Sequence, residues 1–263
     1  MTSTNENILF EKATFIRKYL DILYPNIDCF LNHNNPFTLL VAVVLSAQTT
    51  DKVVNKVTPQ LFKVASSPND LLELPEAKLR KIIEPIGLAT RKTKALKGLA
   101  EKLCYDFKGV VPQTFEELES LPGVGHKTAS VVMSQAFGKP AFPVDTHIQR
   151  LACRWGFGNE KSVRTTEENL KYYFPQECWL KLHLQLIQYG RDYCPAQRHV
   201  SKDCVICSWK PGMEPSNILL RKQKQFVEDD VVSNKLEKKK IRTRSSEDTG
   251  TSKYHLRSNS SKR

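Results

Sequence analysis

Residues 121–128, LPGVGHKT, join a tight glycine turn to the start of a helix whose first turn carries Lys127. The first N–H groups of a helix have no partner within it and lie at the positive end of its dipole, so they can bind an anion such as a phosphate. The same position disfavours the ammonium form of Lys127, whose neutral amine can then act as a nucleophile. Position alone leaves two plainer interpretations open, a structural helix–helix turn and a solvated surface lysine.

Asp145 is the second candidate and lies 18 residues after Lys127. It follows Pro143 and Val144 and precedes a helical run. In that setting an isolated aspartate is most simply the N-cap of the helix, because its side chain accepts a hydrogen bond from a free backbone N–H group of the first turn. Taken alone, therefore, Asp145 needs no chemical role.

Cysteines near residue 200 form a third candidate site. The chain has seven cysteines, an odd number, and it begins without the pattern of a secretion signal. We therefore expect an intracellular protein whose clustered cysteines bind metal rather than form disulfides. Cys194, His199, Cys204 and Cys207 follow the pattern C-x4-H-x4-C-x2-C. Three thiolates and one imidazole are a donor set of tetrahedral zinc sites. The remaining cysteines are most simply core residues: Cys29, Cys104, Cys153 and Cys178.

The distribution of charge limits the kind of partner. The 263 residues carry a net charge of +12, of which residues 233–263 hold +7 through ten basic and three acidic side chains, leaving +5 on residues 1–232. That terminal stretch has only four apolar side chains, which predicts a disordered basic tail. Three roles stay open for the tail: it raises DNA affinity, acts as a nuclear localisation signal, or is only solvated charge. The total charge suits DNA, RNA or an acidic membrane surface. Because the folded part is only mildly basic, a nucleic-acid site on it must be a local region of matching shape rather than a broad positive face.

The longest apolar run, Leu39–Leu45, is far shorter than the roughly 20 residues that span a bilayer. We therefore expect a soluble protein with no transmembrane helix. Three valines would allow the surrounding segment, Phe37–Ser46, to form a strand, but its length and its context favour a buried helix.

Helical patterns recur along the chain, and hairpin-linked strand patterns do not. Residues 51–64, DKVVNKVTPQLFKV, start with an acidic residue and continue with apolar residues at helical spacing. Thr114 with Glu117, and Thr165 with Glu168, indicate two further helix starts. The pattern as a whole predicts an all-α fold of about ten short helices ahead of the cysteine-rich loop.

Three separated segments resemble one enzyme family. LPGVGHKTASVVMSQAFGKPAFPVDTHIQRL is similar to the helix-hairpin-helix and Gly/Pro-Asp signature of the endonuclease III family of DNA glycosylases. LSAQTTDKVVNK and IGLATRKTKAL, upstream of it, match the same family. The resemblance covers residues 10–210 and implies two helical lobes with a DNA cleft between them. These would be a six-helix-barrel domain with the helix-hairpin-helix (29–140) and a second helical domain with the cysteine loop (1–28 and 141–212), followed by a mostly disordered basic tail (213–263).

The resemblance also implies a reaction. Lys127 matches the lysine that attacks C1′ of a damaged nucleotide, displaces the base and forms a Schiff base. Asp145 matches the carboxylate that assists deprotonation of this lysine and stabilises positive charge on the sugar. The family removes oxidised pyrimidines and then cleaves the strand by β-elimination at the abasic site. We therefore expect a bifunctional base-excision repair glycosylase and lyase, working as a monomer on double-stranded DNA with damaged pyrimidines or abasic sites.

Further residues match positions that contact DNA in this family. Gln48 and Leu88 match the two residues that fill the gap left by an extruded base, although the first would otherwise be a helix C-terminal residue and the second a core leucine. Gly123, Val124 and Gly125 form the phosphate-binding hairpin. Four nearby basic residues are expected either to approach the DNA or to have local roles in capping or solvation: Arg91, Lys92, Lys94 and His147.

The cysteine loop departs from the family pattern. Endonuclease III relatives commonly hold a [4Fe-4S] cluster with C-x6-C-x2-C-x5-C. Here nine residues separate Cys194 from Cys204, and Met213 stands where the fourth cysteine would be. Three possibilities remain: a cluster with one non-cysteine ligand, a zinc site that uses His199, or a loop without metal.

Two alternative functions stay open at this level. A monofunctional glycosylase for a mismatch or another lesion belongs to the same superfamily, but such enzymes activate water, so Lys127 argues against it. A non-catalytic protein that uses the hairpin only to hold phosphates is the other alternative.

Overall fold

The apolar run Leu39–Leu45 is part of a helix, and the residues just before it explain why. Asn35 Oδ1 accepts a hydrogen bond from the Thr38 N–H at 2.9 Å, and Thr38 Oγ1 accepts one from the Asn35 N–H at 3.0 Å. This reciprocal capping box gives backbone N–H groups at the start of a helix the hydrogen-bond partners that they would otherwise lack, so it favours a helix over a strand here. The helix, Pro36–Leu45, is buried at every position from Phe37 onwards.

The computed structural model describes residues 2–216, with the side chains of residues 4–216. Within these residues it contains eleven α-helices, three short 3₁₀ helices and no strand, which confirms the predicted all-α class. The α-helices are α1 (Thr2–Leu23), α2 (Pro36–Leu45), α3 (Asp51–Val64), α4 (Pro68–Glu73), α5 (Glu76–Ile83), α6 (Ala89–Asp106), α7 (Phe115–Glu119), α8 (His126–Phe137), α9 (Thr146–Trp155), α10 (Val163–Tyr173) and α11 (Trp179–Asp192). Over the same residues, no helix has the length and apolarity to cross a membrane.

Side-chain caps fix where most helices begin. Thr114 accepts a hydrogen bond from the Glu117 N–H and starts α7, as predicted. The predicted start at Thr165 is wrong, because Ser162 is the N-cap of α10 and accepts from the Thr165 N–H. Thr165 therefore lies inside the helix. A serine three residues earlier is the stronger signal, since its short hydroxyl reaches the third backbone N–H of the helix.

Two groups of helices carry the buried surface. In the first, α2 packs against α3, α6 and α8, while α4 and α5 pack against α6 and α7 against α8. A hydrophobic cluster within this group draws its buried members from Leu31 to Ala141. In the second, α9 packs against α10 and α11, and α1 packs against the same two helices. The division into domains at 29–140 and 141–212 stays a prediction, and residues 217–263 of the expected tail lie outside the described residues.

The glycine turn between α7 and α8 is held close to two other helices. Gly123 has a φ of +82°, a left-handed conformation that favours glycine. A Cβ atom there would stand 3.1 Å from Ala95 Cβ and 3.4 Å from Val44 Cγ1. Gly125, by contrast, is the N-cap of α8 with a φ of −105° and open space around it. The turn therefore requires a glycine at its first position for backbone and packing reasons.

We expect Gly123→Ala to lower the free energy of unfolding by about 1–3 kcal/mol, because alanine resists the left-handed conformation and its methyl group presses on Ala95. Gly125→Ala is the matched control and should change it by less than about 0.5 kcal/mol. Urea unfolding of both variants beside the parent measures the difference. Equal losses at the two positions would contradict this account of the turn.

Candidate active site

Lys127 lies in the first turn of α8, immediately after the glycine turn, and its side chain is exposed. It lines a cavity of about 210 Å³ together with Gln48, Asp145 and His183. These residues come from two helices, the N-cap of a third and one connection, so the fold gathers groups that are far apart in the sequence. A cavity with an amine and a carboxylate in its wall is a suitable place for nucleophilic chemistry.

Asp145 is the N-cap of α9, as its position predicted, and it also faces the amine. Its Oδ1 accepts a hydrogen bond from the Ile148 N–H at 2.8 Å, and its Oδ2 lies 3.1 Å from His147 Nδ1. Burial alone would raise the pKa of this carboxyl. The hydrogen bonds from His147 and Ile148 and the charge of Lys127 outweigh burial and lower the pKa to about 2. Asp145 is therefore a fixed anion at neutral pH.

His147 is occupied with Asp145. Its side chain is 31% exposed, and its Nδ1 is within hydrogen-bonding distance of the carboxylate. The expected role of His147 as a helix cap is wrong, because Asp145 is the N-cap of α9 and His147 instead contacts the Asp145 carboxylate. An approach of His147 to DNA stays a prediction.

His183 is a site residue that the sequence patterns did not reveal. It lies on the buried face of α11, is 3% exposed, and lines the same cavity as Lys127 and Asp145. Burial lowers its pKa to about 4, with Asp145 opposing and Lys127 adding to the shift. Its Nδ1 has no hydrogen-bond partner among the described residues. A histidine among the leucines of an amphipathic helix was the available signal, but such a residue is often just part of the core.

Gln48 and Leu88 share an unusual backbone conformation. Their φ angles are +57° and +52°, in the left-handed region that non-glycine residues rarely adopt. Both line a small cavity of about 130 Å³ that Gly123 also borders. Leu88 is 51% exposed, so its interpretation as a core leucine is wrong. Gln48 lies beyond the end of α2 in the connection to α3, so it is not a helix C-terminal residue either.

Lys92 has a different role from the expected one. It is 5% exposed, and its Nζ donates a hydrogen bond to the Leu45 carbonyl at 3.0 Å, at the C-terminal end of α2. The prediction that it holds a phosphate is therefore wrong, because a phosphate cannot reach a buried ammonium group. Arg91 and Lys94 are exposed on the same helix, and Arg91 borders the cavity beside Leu88.

The cysteine loop follows α11 and brings its four predicted donors together. The ligand atoms of Cys194, His199, Cys204 and Cys207 all lie within 4.8 Å of one another. Cys194 Sγ is 3.3 Å from His199 Nε2 and 3.8 Å from Cys207 Sγ. This cluster can hold a metal ion. The remaining four cysteines are half-buried free thiols rather than fully buried core residues: Cys29, Cys104, Cys153 and Cys178.

Two arginines of α9 connect this loop with the candidate active site. Arg150 donates to the carbonyls of Gly190 and Cys194, and Arg154 donates to Cys194 Sγ at 3.1 Å. Both arginines also line a cavity of about 590 Å³ that Lys127 and Asp145 border. The loop therefore helps to fix two arginine side chains in the wall of the cavity that Lys127 and Asp145 border.

Comparisons with known proteins agree with this geometry. Residues 41–176 match the family described as HhH-GPD superfamily base excision DNA repair protein. The chain is 43% identical over 191 residues to Endonuclease III of Bacillus subtilis (strain 168), covering 71% of this chain and 85% of that protein. It is 42% identical over 187 residues to Endonuclease III of Escherichia coli (strain K12), covering 70% and 89%.

Solved structures show the same likeness. A non-covalent Endonuclease III–DNA complex superposes with a TM-score of 0.73 at 38% identity and covers 80% of this chain and 98% of that one. A trapped Endonuclease III–DNA covalent intermediate, an estranged-adenine complex, superposes with a TM-score of 0.72 at 40% identity and covers 75% and 93%.

Acidification should destabilise the fold through His183. Its pKa is about 4 in the folded protein and 6.5 as the ordinary value, so the unfolded chain takes up a proton first. The free energy of unfolding is therefore highest above pH 6.5 and falls as the pH drops towards 4, by up to roughly 3 kcal/mol. The lowered pKa of Asp145 acts only at lower pH, since its contribution is present above 3.8 and is lost as the pH falls towards 2.

Urea unfolding at a series of pH values tests this expectation with the variant His183→Gln, which cannot take up the proton. The variant should lose most of the decline between about pH 6.5 and pH 4. The control His33→Gln, at a half-buried position outside the candidate site, should keep it. A parent protein with constant stability across this range would contradict the assignment.

Proposed function

The chain belongs to the endonuclease III family of HhH-GPD base-excision DNA repair proteins, and from this premise we propose that Lys127 is its nucleophile and Asp145 the carboxylate that assists it. The protein is a base-excision repair DNA glycosylase and lyase that acts on damaged double-stranded DNA. One observation supports these two roles. The wall of a single cavity contains both the Lys127 amine at the start of α8 and the ionised Asp145 carboxylate at the start of α9.

The proposed reaction uses the two groups in sequence. Lys127 first loses its ammonium proton to solvent, and its neutral amine then attacks C1′ of the damaged nucleotide. The bond from C1′ to the base breaks as the base leaves with the electron pair and takes up a proton from solvent. Asp145 receives the proton from the attacking amine and stabilises the positive charge that develops on the sugar. The bond from C1′ to the ring oxygen then breaks, the ring oxygen takes the proton that Asp145 received, and the Schiff base forms between C1′ and the Lys127 nitrogen. Loss of a proton from C2′ then expels the 3′ phosphate, which cleaves the strand.

The carboxylate suits this role because its charge is maintained by fixed partners. Its two oxygens are held by the Ile148 N–H and by His147, so Asp145 keeps its orientation while the sugar moves towards it. Beside it, the neutral imidazole of His183 adds a polar wall without adding charge. Both features support a site in which the negative charge of Asp145 stabilises the positive charge on the sugar.

We propose that the substrate is an oxidised pyrimidine in duplex DNA, turned out of the helix to reach Lys127. Extrusion of a base costs a few kcal/mol and leaves a gap in the stack. Leu88 is an exposed apolar side chain suited to wedge into that gap, and the amide of Gln48 can pair with the orphaned partner base. The shared cavity of these two residues and their proximity to the Gly123 turn support a joint role.

The hairpin would hold the DNA backbone in register. Val124 and Gly125 precede the first turn of α8, and no side chain caps that helix, so its N-terminal N–H groups are available to a phosphate.

Lys127 comes from the segment 29–140, whereas Asp145 and His183 come from the segment 141–212. Their common cavity supports a DNA cleft between two lobes. A protein with this substrate works in the compartment that contains the chromosome.

Borohydride trapping tests the nucleophile. We expect the parent protein to form a reduced covalent complex with a duplex that carries thymine glycol or an abasic site, because borohydride fixes a Schiff base. Lys127→Ala should abolish trapping while the protein stays folded, since the Lys127 side chain is exposed. Lys139→Ala, just beyond the other end of α8, is the matched lysine control and should trap normally. Base release by the parent without any trapped complex would indicate a monofunctional enzyme and refute the proposal.

Replacement of Leu88 should lower the activity of the enzyme without lowering its stability. Leu88→Asn is expected to slow single-turnover base release about tenfold or more, because the gap in the duplex is no longer filled. The free energy of unfolding should not fall by more than about 0.5 kcal/mol, since asparagine tolerates the left-handed backbone and leucine is half exposed. Val110→Asn, at another exposed apolar residue, is the control.

The defect of Leu88→Asn should shrink on a lesion opposite a mismatched base, where extrusion costs less. A uniform loss on matched and mismatched duplexes would argue against a wedge and for a general defect in DNA binding.

A further inference from the structure

We propose that the loop after α11 binds a single zinc ion through Cys194 Sγ, His199 Nε2, Cys204 Sγ and Cys207 Sγ, in place of the iron–sulfur cluster of the family. This inference goes beyond the proposed function, because none of these residues takes part in the chemistry assigned to Lys127 and Asp145. It rests on the distances, charges and hydrogen bonds of the loop.

The distances between the donor atoms suit one ion. A tetrahedral zinc with Zn–S bonds of about 2.3 Å and a Zn–N bond of about 2.0 Å places neighbouring sulfurs about 3.8 Å apart and sulfur and nitrogen about 3.5 Å apart. Cys194 Sγ lies 3.8 Å from Cys207 Sγ and 3.3 Å from His199 Nε2. All four donor atoms fall within 4.8 Å of one another. They are thus arranged around a common centre of single-ion size.

The same distances do not suit a four-iron cluster. Each of its ligands binds a different iron, and a core of four irons and four sulfides lies between them, so the ligand atoms must stand farther apart than around one ion. The donor set differs as well. Within the described residues, the group contains three thiolates and one imidazole, and the position of the family's fourth cysteine holds Met213. A neutral thioether does not replace the charge of a thiolate.

The charges around the loop match a zinc centre of this composition. Three thiolates and one divalent cation leave a net charge of −1. Arg154 donates a hydrogen bond to Cys194 Sγ at 3.1 Å and so places one positive charge beside the centre. The hydroxyl of Tyr189 lies 3.2 Å from Cys204 Sγ. Such outer hydrogen bonds orient thiolate ligands and offset their charge. Cys194 and Cys204 are 0% and 3% exposed, whereas His199 and Cys207 are half-buried, so the centre is shielded from water on the side of the two buried thiolates.

The backbone of the loop is held from two sides. The Arg154 guanidinium donates to the carbonyls of Pro195 and Ala196 at 2.8 and 3.3 Å. The Gly212 N–H donates to Glu11 of α1 at 2.6 Å. A bound ion would therefore tie α1, α9 and α11 together through one loop. This is the role of structural zinc sites, in which four protein ligands leave no open position for a substrate.

The direct test is the metal content of the full chain, produced in cells supplied with both iron and zinc and purified without oxygen or chelators. We expect one zinc per chain, no acid-labile sulfide and no visible absorption from iron–thiolate charge transfer. Iron with stoichiometric sulfide and a visible band would overturn the proposal. Protein that is free of metal, and stays free when zinc is added, would overturn it as well.

Replacement of zinc by cobalt identifies the ligands. Cobalt in the parent protein should give the intense ligand-field bands of a tetrahedral site together with thiolate charge transfer. His199→Ala should weaken zinc binding at least tenfold in a chelator competition, whereas His33→Ala, outside the loop, should leave it unchanged. His199→Cys should keep zinc, because four thiolates also form a tetrahedral site, and should shift the cobalt bands. Unaltered affinity in His199→Ala would refute the assigned fourth ligand. None of these readouts depends on activity towards DNA.

Discussion

The candidate active site depends on how the Asp145 carboxylate is stabilised, by two hydrogen-bond partners and by the nearby charge of Lys127. A carboxylate in a poorly hydrated position is stable only when its oxygens are matched by donors or positive charge. Here the Ile148 N–H, the His147 ring and the charge of Lys127 provide that match. The first two come from α9 itself, so the helix both positions the anion and is capped by it. Lys127 comes from α8, which makes the electrostatic pair a link between two packed groups of helices.

Of the four non-glycine residues with a left-handed backbone in the described part of the chain, two border one cavity, Gln48 and Leu88. A left-handed backbone costs a non-glycine residue roughly 1–2 kcal/mol, and the connections on either side of this cavity contain two such residues. The surrounding helices must supply the stability that keeps them there. Local strain of this kind is characteristic of places where function, rather than folding, selects the side chain. An exposed leucine held in such a conformation is poorly explained by packing and well explained by contact with DNA.

Local signals predicted much of the fold, and the limits have physical causes. The bounds of α3 and the cap of α7 follow from acidic residues, hydroxyl caps and apolar spacing, all of which act within one turn. The start of α10 was misplaced because two hydroxyl residues three positions apart both resemble caps. Lys127 and Asp145 could be named from motif and resemblance, but their common cavity is a tertiary property. The buried positions of His183 and Lys92 were not predicted, because a single sequence does not show which polar side chains of a helix face inward.

Lys92 shows how replacement of a buried side chain can imitate the loss of a DNA contact. Its ammonium group joins the end of α2, three residues before Gln48, to the start of α6, four residues after Leu88. The segments that carry Gln48 and Leu88, the two residues proposed to fill the gap in the duplex, are therefore joined by a buried ammonium group. In a mutational scan, replacement of this lysine would resemble removal of a phosphate contact, although it would displace a pair of helices instead. The salt dependence of binding tells the two apart, because a displaced pair of helices changes how strongly DNA is bound without changing how many phosphates are neutralised.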